Sequence, residues 1–203
     1  MLLLSKICRC DTLKSISSNM FECNEKFLCN YDGLKEEYCK DNQCKSLTSC
    51  DGLYYKDMNF YFIEFKDLKK IRKDKNIKRF VKEHIDDNDK LLNKIDESKH
   101  ILDYYIYKYD RNIKFKSKYF YYVVVTWPEV DSSENFYLKM KILSSKPTNI
   151  KKETVGFLKK KVDTKIKELR NKVYFLQDCD YLEKEEFLKR KLFWLNENCK
   201  GNK

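Results

Sequence analysis

One stretch constrains this chain more than any other: Phe60-Tyr61-Phe62-Ile63-Glu64-Phe65-Lys66, an aromatic and β-branched run interrupted by two charges. Ring-bearing and branched side chains at this density favour a strand. Residues 46–55 read as a second strand, and the polar 56–59 stretch between them reads as a turn, so the pair forms a hairpin. Alternation sends Phe60, Phe62, Glu64 and Lys66 to one face and Tyr61, Ile63 and Phe65 to the other. A turn centred between Asp57 and Met58 sets Asp51 directly opposite Glu64, with Cβ atoms about 5 Å apart. Two carboxylates that close repel unless a cation or a proton lies between them. Mg²⁺ or Mn²⁺ is a natural occupant, held by Asp51 and Glu64 with waters and with the Phe65 carbonyl close by. Lys66 is placed to orient or help deprotonate a metal-bound water, or to neutralise charge on a phosphate. A register slip of one residue destroys the opposition. The competing reading is a solvated Glu–Lys pair on an exposed strand face. It fits poorly with Phe60 and Phe62 on that same face.

Elsewhere the pattern alternates helices with strands. Residues 15–30 carry Ile16, Met20, Phe21, Phe27 and Leu28 at helical spacing, with Ser17, Ser18 or Asn19 as a cap and Tyr31-Asp32-Gly33 as the break. Leu91, Leu92, Ile95, Ser98, Leu102, Tyr105, Ile106 and Tyr109 recur every three or four positions, which predicts a long amphipathic helix. Residues 118–127 (KYFYYVVVTW) form an apolar run of strand length, expected as a central strand buried on both faces and ended by Pro128. A strand over 136–143, a Lys-rich helix over 155–170, a short strand over 173–176 and a helix over 181–195 complete the expectation. The order implies an α/β protein with one mixed central β-sheet flanked by helices. At 203 residues the chain suits a single domain over 1–203. It divides into a Cys-rich helical segment over 1–46, the hairpin, long helix and central strand over 47–127, and an insert, helix, strand and final helix over 128–203.

Charge and cysteines bear on partners. The formal net charge is +11, which suits a polyanion such as nucleic acid, although the basic residues are nearly all Lys, as codon bias also produces. Lys69, Lys70, Arg72 and Lys73 follow the hairpin directly and could seat a phosphate backbone. With 4 Gly, phosphate-cradling glycine loops are absent. His84 and His100 are isolated, which argues against hydrolase triads. Seven of the nine cysteines precede residue 51. The apolar Met1-Leu2-Leu3-Leu4 is too short for a signal core or a membrane span, so the expected compartment is the cytoplasm and the expected state is free thiols. Zinc or iron–sulfur ligation is the sharper alternative. It is not favoured, because the one-residue gap from Cys8 to Cys10 and the four-residue gap from Cys39 to Cys44 are not paired zinc knuckles.

Asp51, twelve intervening residues and then Glu64-Phe65-Lys66, on a hairpin between two helices, resembles the PD-(D/E)XK, or restriction-endonuclease-like, nuclease superfamily. The detail "SCDGLYY…NFYFIEFKD" and the downstream KIDESKHIL helix are similar to small bacterial and phage members, and the likeness covers residues 15–127. The resemblance implies a restriction-endonuclease-like core. It makes Asp51 and Glu64 metal-ligating carboxylates and Lys66 the motif lysine. It also implies an acid on the first helix, for which Glu22 and Glu25 are both candidates. Cys50 stands where the motif has proline, and no equivalent of the glutamine many members carry on the next helix is present. Some members with intact motifs bind or assemble rather than cut.

The leading expectation is therefore a Mg²⁺- or Mn²⁺-dependent nuclease, in a defence or mobile-element setting, with nucleic acid as partner and no membrane. The first rival is a non-catalytic nucleic-acid- or protein-binding subunit, or homodimer, on the same fold. The second is a Cys-ligated metal protein.

Overall fold

The hairpin turn sets the register of the structure. Asp57 and Met58 have φ of 51° and 62°, the positive values that two-residue turns of the primed type need to match strand twist. In the computed structural model, which describes residues 7–24, 26–45, 47–68, 88–109, 117–126 and 153–190, this turn joins two members of a six-stranded sheet. The strands are β1 (Cys10–Thr12), β2 (Lys26–Asn30), β3 (Gly52–Lys56), β4 (Asn59–Asp67), β5 (Lys118–Thr126) and β6 (Leu176–Glu183). They lie in sequence order across the sheet. β1 to β4 pair antiparallel, and β4, β5 and β6 pair parallel. The architecture is thus mixed α/β, as expected. The helices are α1 (Leu13–Ile16), α2 (Tyr31–Asp41), α3 (Asn88–Tyr109), α4 (Glu153–Lys172) and α5 (Lys184–Lys189).

Both faces of the sheet are covered, so β5 is aromatic or aliphatic from Tyr119 to Val125. On one face Phe60, Phe62, Tyr121, Val123 and Val125 meet Tyr31 and Leu34 of α2, Ile95, Leu102 and Ile106 of α3, and Val162, Ile166 and Leu169 of α4. On the other, Tyr61, Ile63, Phe65, Tyr122 and Val124 meet Leu13, Met20, Phe21 and Phe187. The alternation read from residues 60–65 therefore holds. Among the described residues no helix is long and apolar enough to cross a membrane.

Several local expectations are corrected. The helix over 15–30 does not form. α1 is four residues long, and Ser18 and Asn19 take left-handed φ of 52° and 65°. Met20 and Phe21 are buried from an irregular segment, and Leu28 belongs to β2. Their spacing imitates a helix because both stretches face the same apolar layer. Tyr31-Asp32-Gly33 opens a helix rather than breaking one: the Asn30 side chain caps α2 by accepting from the Gly33 N–H. The last strand begins at Leu176 rather than 173, and α5 starts only at Lys184, behind a capping box between Glu183 and Glu186. Tyr181 and Leu182 are strand residues. Tyr109, assigned to the buried stripe of α3, is 47% exposed. The thiols are not all free: Cys8 and Cys29 form a disulfide, with Cα atoms 5.8 Å apart. The candidate strand over 136–143 lies outside the described residues.

Candidate functional site

β3 and β4 pair Gly52 with Ile63 and Leu53 with Phe62. The paired register ends there, and Asp51, just outside β3, bonds to the Ile63 main chain and lies near enough to Glu64 for the two charges to act on each other. Asp51 is held by three hydrogen bonds. Its N–H donates to the Ile63 carbonyl at 3.0 Å, and its carbonyl accepts from the Tyr31 N–H at 3.2 Å. Its carboxylate Oδ2 accepts from the Phe65 N–H at 2.6 Å. The preceding residue is pinned by α3, where Ser98 Oγ accepts from the Cys50 N–H at 2.9 Å. The Ser98 carbonyl in turn accepts from the buried Tyr31 hydroxyl. Helices α2 and α3 are thus tied through one serine to the loop that carries Asp51.

Glu64 is fully buried on the α3 face of the sheet. A carboxylate there is tolerated only with compensation. Lys94 of α3 places Nζ 2.6 Å from Glu64 Oε1, and Lys66 bridges to the same oxygen. Both lysines stay near the rim, with side chains 20% and 21% exposed. Burial, and then the Glu64 charge, push the Asp51 carboxyl from its ordinary 3.8 up to about 7; Lys66, Lys94 and the Phe65 N–H pull it back. Burial and the nearby acids also raise the Cys50 thiol and the Tyr121 phenol, which keeps both neutral.

Asp51, Lys66 and Lys94 line a cleft of about 380 Å³. Its other walls include Asp32 and Lys35 from the first turns of α2, Thr48 and Ser49, and Lys90 and Glu97 from α3. Four lysines and three acids thus line it, and Lys35 and Asp32 are ion-paired at 2.6 Å.

No family model matches this chain. Neither a curated protein nor a solved structure matches it either.

The expected trio Asp51, Glu64 and Lys66 is brought together. Glu22 is not part of it. Its side chain is 75% exposed and pairs with Lys14 at 2.7 Å, in a segment packed on the opposite face of the sheet from Glu64. Asp32, on the helix preceding the hairpin, is the acid that lines the cleft instead. Glu25, Lys69, Lys70, Arg72 and Lys73 lie outside the described residues. Lys94, Ser98 and Tyr31 were not singled out for the site. A signal for two of them existed: Lys94 and Ser98 fall at three- and four-residue steps from Leu91, on the buried stripe of α3.

Two carboxylates, with the Phe65 carbonyl between Glu64 and Lys66 in sequence, suit a hard divalent ion that keeps several waters. The Asp51 carboxyl is raised mainly by burial and secondly by the Glu64 charge, and such an ion would relieve the second of these. Among the described residues no group of three or more His, Cys, Asp or Glu is placed to hold a metal. Any ion would therefore rest on the two carboxylates and water.

Proposed function

We propose that the cleft belongs to a metal-dependent nuclease on a restriction-endonuclease-like core, hydrolysing phosphodiester bonds in nucleic acid. The observation that carries this reading is the closeness of Asp51 to the buried Glu64, with Lys66 ion-paired to that same buried carboxylate. Asp51 and Glu64 would hold Mg²⁺ or Mn²⁺. When bound, such an ion lowers the pKa of a coordinated water and polarises a phosphoryl oxygen. The protein's own groups do the rest. Lys94 orients Glu64 from α3, and the Phe65 N–H orients Asp51. Lys66 reaches the rim, where it can transfer from Glu64 to a phosphate oxygen as negative charge develops. Lys35 and Lys90, which also line the cleft, would hold flanking phosphates, Lys35 by exchanging its pairing with Asp32.

A second reading has its own observation. Glu64 already shares one oxygen between two ammonium groups, so its charge is compensated within the protein. In that case the quartet braces a non-catalytic nucleic-acid- or protein-binding subunit. The Cys8–Cys29 disulfide counts against the third reading, because it removes two thiolates from any metal site.

The test is incubation with single- and double-stranded DNA and RNA in Mg²⁺, Mn²⁺ or EDTA, beside Glu64→Ala and Lys66→Ala. Metal-dependent cleavage lost in both variants supports the nuclease. Salt-dependent binding without cleavage supports the binding subunit.

A further inference from the structure

The end of α2 carries a pair of thiols that the cleft does not use. The helix stops at Asn42, and Gln43 takes a left-handed φ of 50°. The Cys44 N–H then donates to the Cys39 carbonyl at 3.1 Å, and the Gln43 N–H to the Lys40 carbonyl at 3.4 Å. These are the two reverse hydrogen bonds of a Schellman ending, and that motif sets the residue after the left-handed position against the one five places earlier. Here those two residues are Cys39 and Cys44, joined through the main chain, and desolvation first and the neighbouring Cys39 thiol second raise the Cys44 thiol above its ordinary value. Cys44 is exposed and Cys39 is half-buried, with Sγ 3.5 Å from the Lys45 carbonyl. The other free cysteines among the described residues are differently placed: Cys50 and Cys179 are buried, and Cys10 is half-buried on β1.

We propose that Cys39 and Cys44 form a reversible dithiol–disulfide site that accepts two oxidising equivalents from a low-molecular-weight disulfide such as glutathione disulfide. The exposed Cys44 thiolate attacks one sulfur of the reagent, breaks its S–S bond and releases one thiolate. Cys39 then attacks Cys44 Sγ, forms the Cys39–Cys44 bond and expels the second thiolate. Two protein thiols are oxidised, one small disulfide is reduced to two thiols, and the two protein protons pass to the released thiolates. The helix ending supplies the proximity, so the second step needs no refolding.

Trypsin reads the site directly, because cleavage after Lys35, Lys40 and Lys45 puts the two cysteines in separate peptides, residues 36–40 and 41–45. The full chain, with Cys8–Cys29 intact, is incubated with glutathione disulfide, blocked with iodoacetamide, digested and analysed by mass spectrometry. The expected product is the 36–40 peptide disulfide-linked to the 41–45 peptide. It should form at least about tenfold faster in the folded chain than in urea, and leave Cys50 and Cys179 alkylatable only after unfolding. Dithiothreitol should reverse it. Cys39→Ser should stop at a glutathione adduct on Cys44, and Cys44→Ser should react slowly. A wild-type chain that stops at the adduct, links Cys44 to Cys10, or closes no faster folded than unfolded overturns the proposal. Each outcome is independent of whether the cleft cuts nucleic acid.

Discussion

Replacing Asp51 with Asn should make the metal-free protein more stable, and increasingly so as pH rises. The Asp51 carboxyl sits at about 7 against an ordinary 3.8, a gap of about three units at about 1.4 kcal/mol each. Its folded-state value is raised, so the contribution of its bound proton is complete below about pH 4. That contribution drains away as pH rises and is gone above about 7. The full gap corresponds to about 4 kcal/mol, which solvent at this half-buried position reduces to about 2–3. Asn has no proton to lose, and its carbonyl can still accept the Phe65 N–H that Asp51 Oδ2 accepts. Urea unfolding in EDTA at pH 5 and pH 8.5 measures the difference. Other titrating groups cancel between the two proteins. The stability gap should widen in favour of Asp51→Asn by about 2 kcal/mol between the two pH values, or about 1 M in midpoint at ordinary urea slopes. A gap that stays constant with pH, or a variant less stable at pH 8.5, would refute the electrostatic account of the pair. In the nuclease reading the same substitution abolishes cleavage, so stability and activity move in opposite directions.

Glu64→Ala should cost about 3–5 kcal/mol, because it strands the Lys66 and Lys94 ammonium groups in a half-buried site. The double variant Glu64→Ala/Lys94→Met should cost less than the sum of its parts in a urea double-mutant cycle. Ser98→Ala leaves the buried Cys50 N–H without its acceptor; a loss of about 1–3 kcal/mol is expected in thermal unfolding, together with weaker cleavage as Asp51 loosens. Cys8→Ser opens a loop with a sequence separation of 21 and should lower stability by about 3 kcal/mol under oxidising conditions, with no effect once both proteins are reduced.

The hairpin was legible because its information is local. Residue alternation and turn centre set the face and register over 52–63, whereas the strand expected over 46–55 begins only at Gly52. β5 was legible for a similar reason, since a strand between two parallel neighbours and covered on both faces needs apolar residues over its interior. The N-terminal region was not. Met20, Phe21 and Leu28 are apolar because a sheet face needs covering, and nothing local says whether a helix, a loop or an edge strand does it. β1 has three residues and β2 has five, too few for either period to stand out. Lys94 escaped notice because its role depends on where α3 crosses the sheet, which is a tertiary fact. The thiol pair at Cys39 and Cys44 depends on the sign of one dihedral, at Gln43.

The Asp57–Met58 turn has a consequence for how this chain can change. Asp51 lies outside β3, six residues before the turn, and takes its main-chain partner, the Ile63 carbonyl, from the strand that follows the turn. Adding or deleting one residue at the turn would move Glu64 and its charge to the face lined by Phe21 and Phe187. The same slip would bring Tyr61, Ile63 and Phe65 under α3. Such a length change would be eliminated as a folding failure before it could be tolerated as a silenced site. Substitution can erode the cleft one side chain at a time, but insertion and deletion at this turn cannot. Length conservation of the hairpin in any descendant of this chain would therefore report on folding, and only the identities at positions 51, 64, 66 and 94 would report on chemistry.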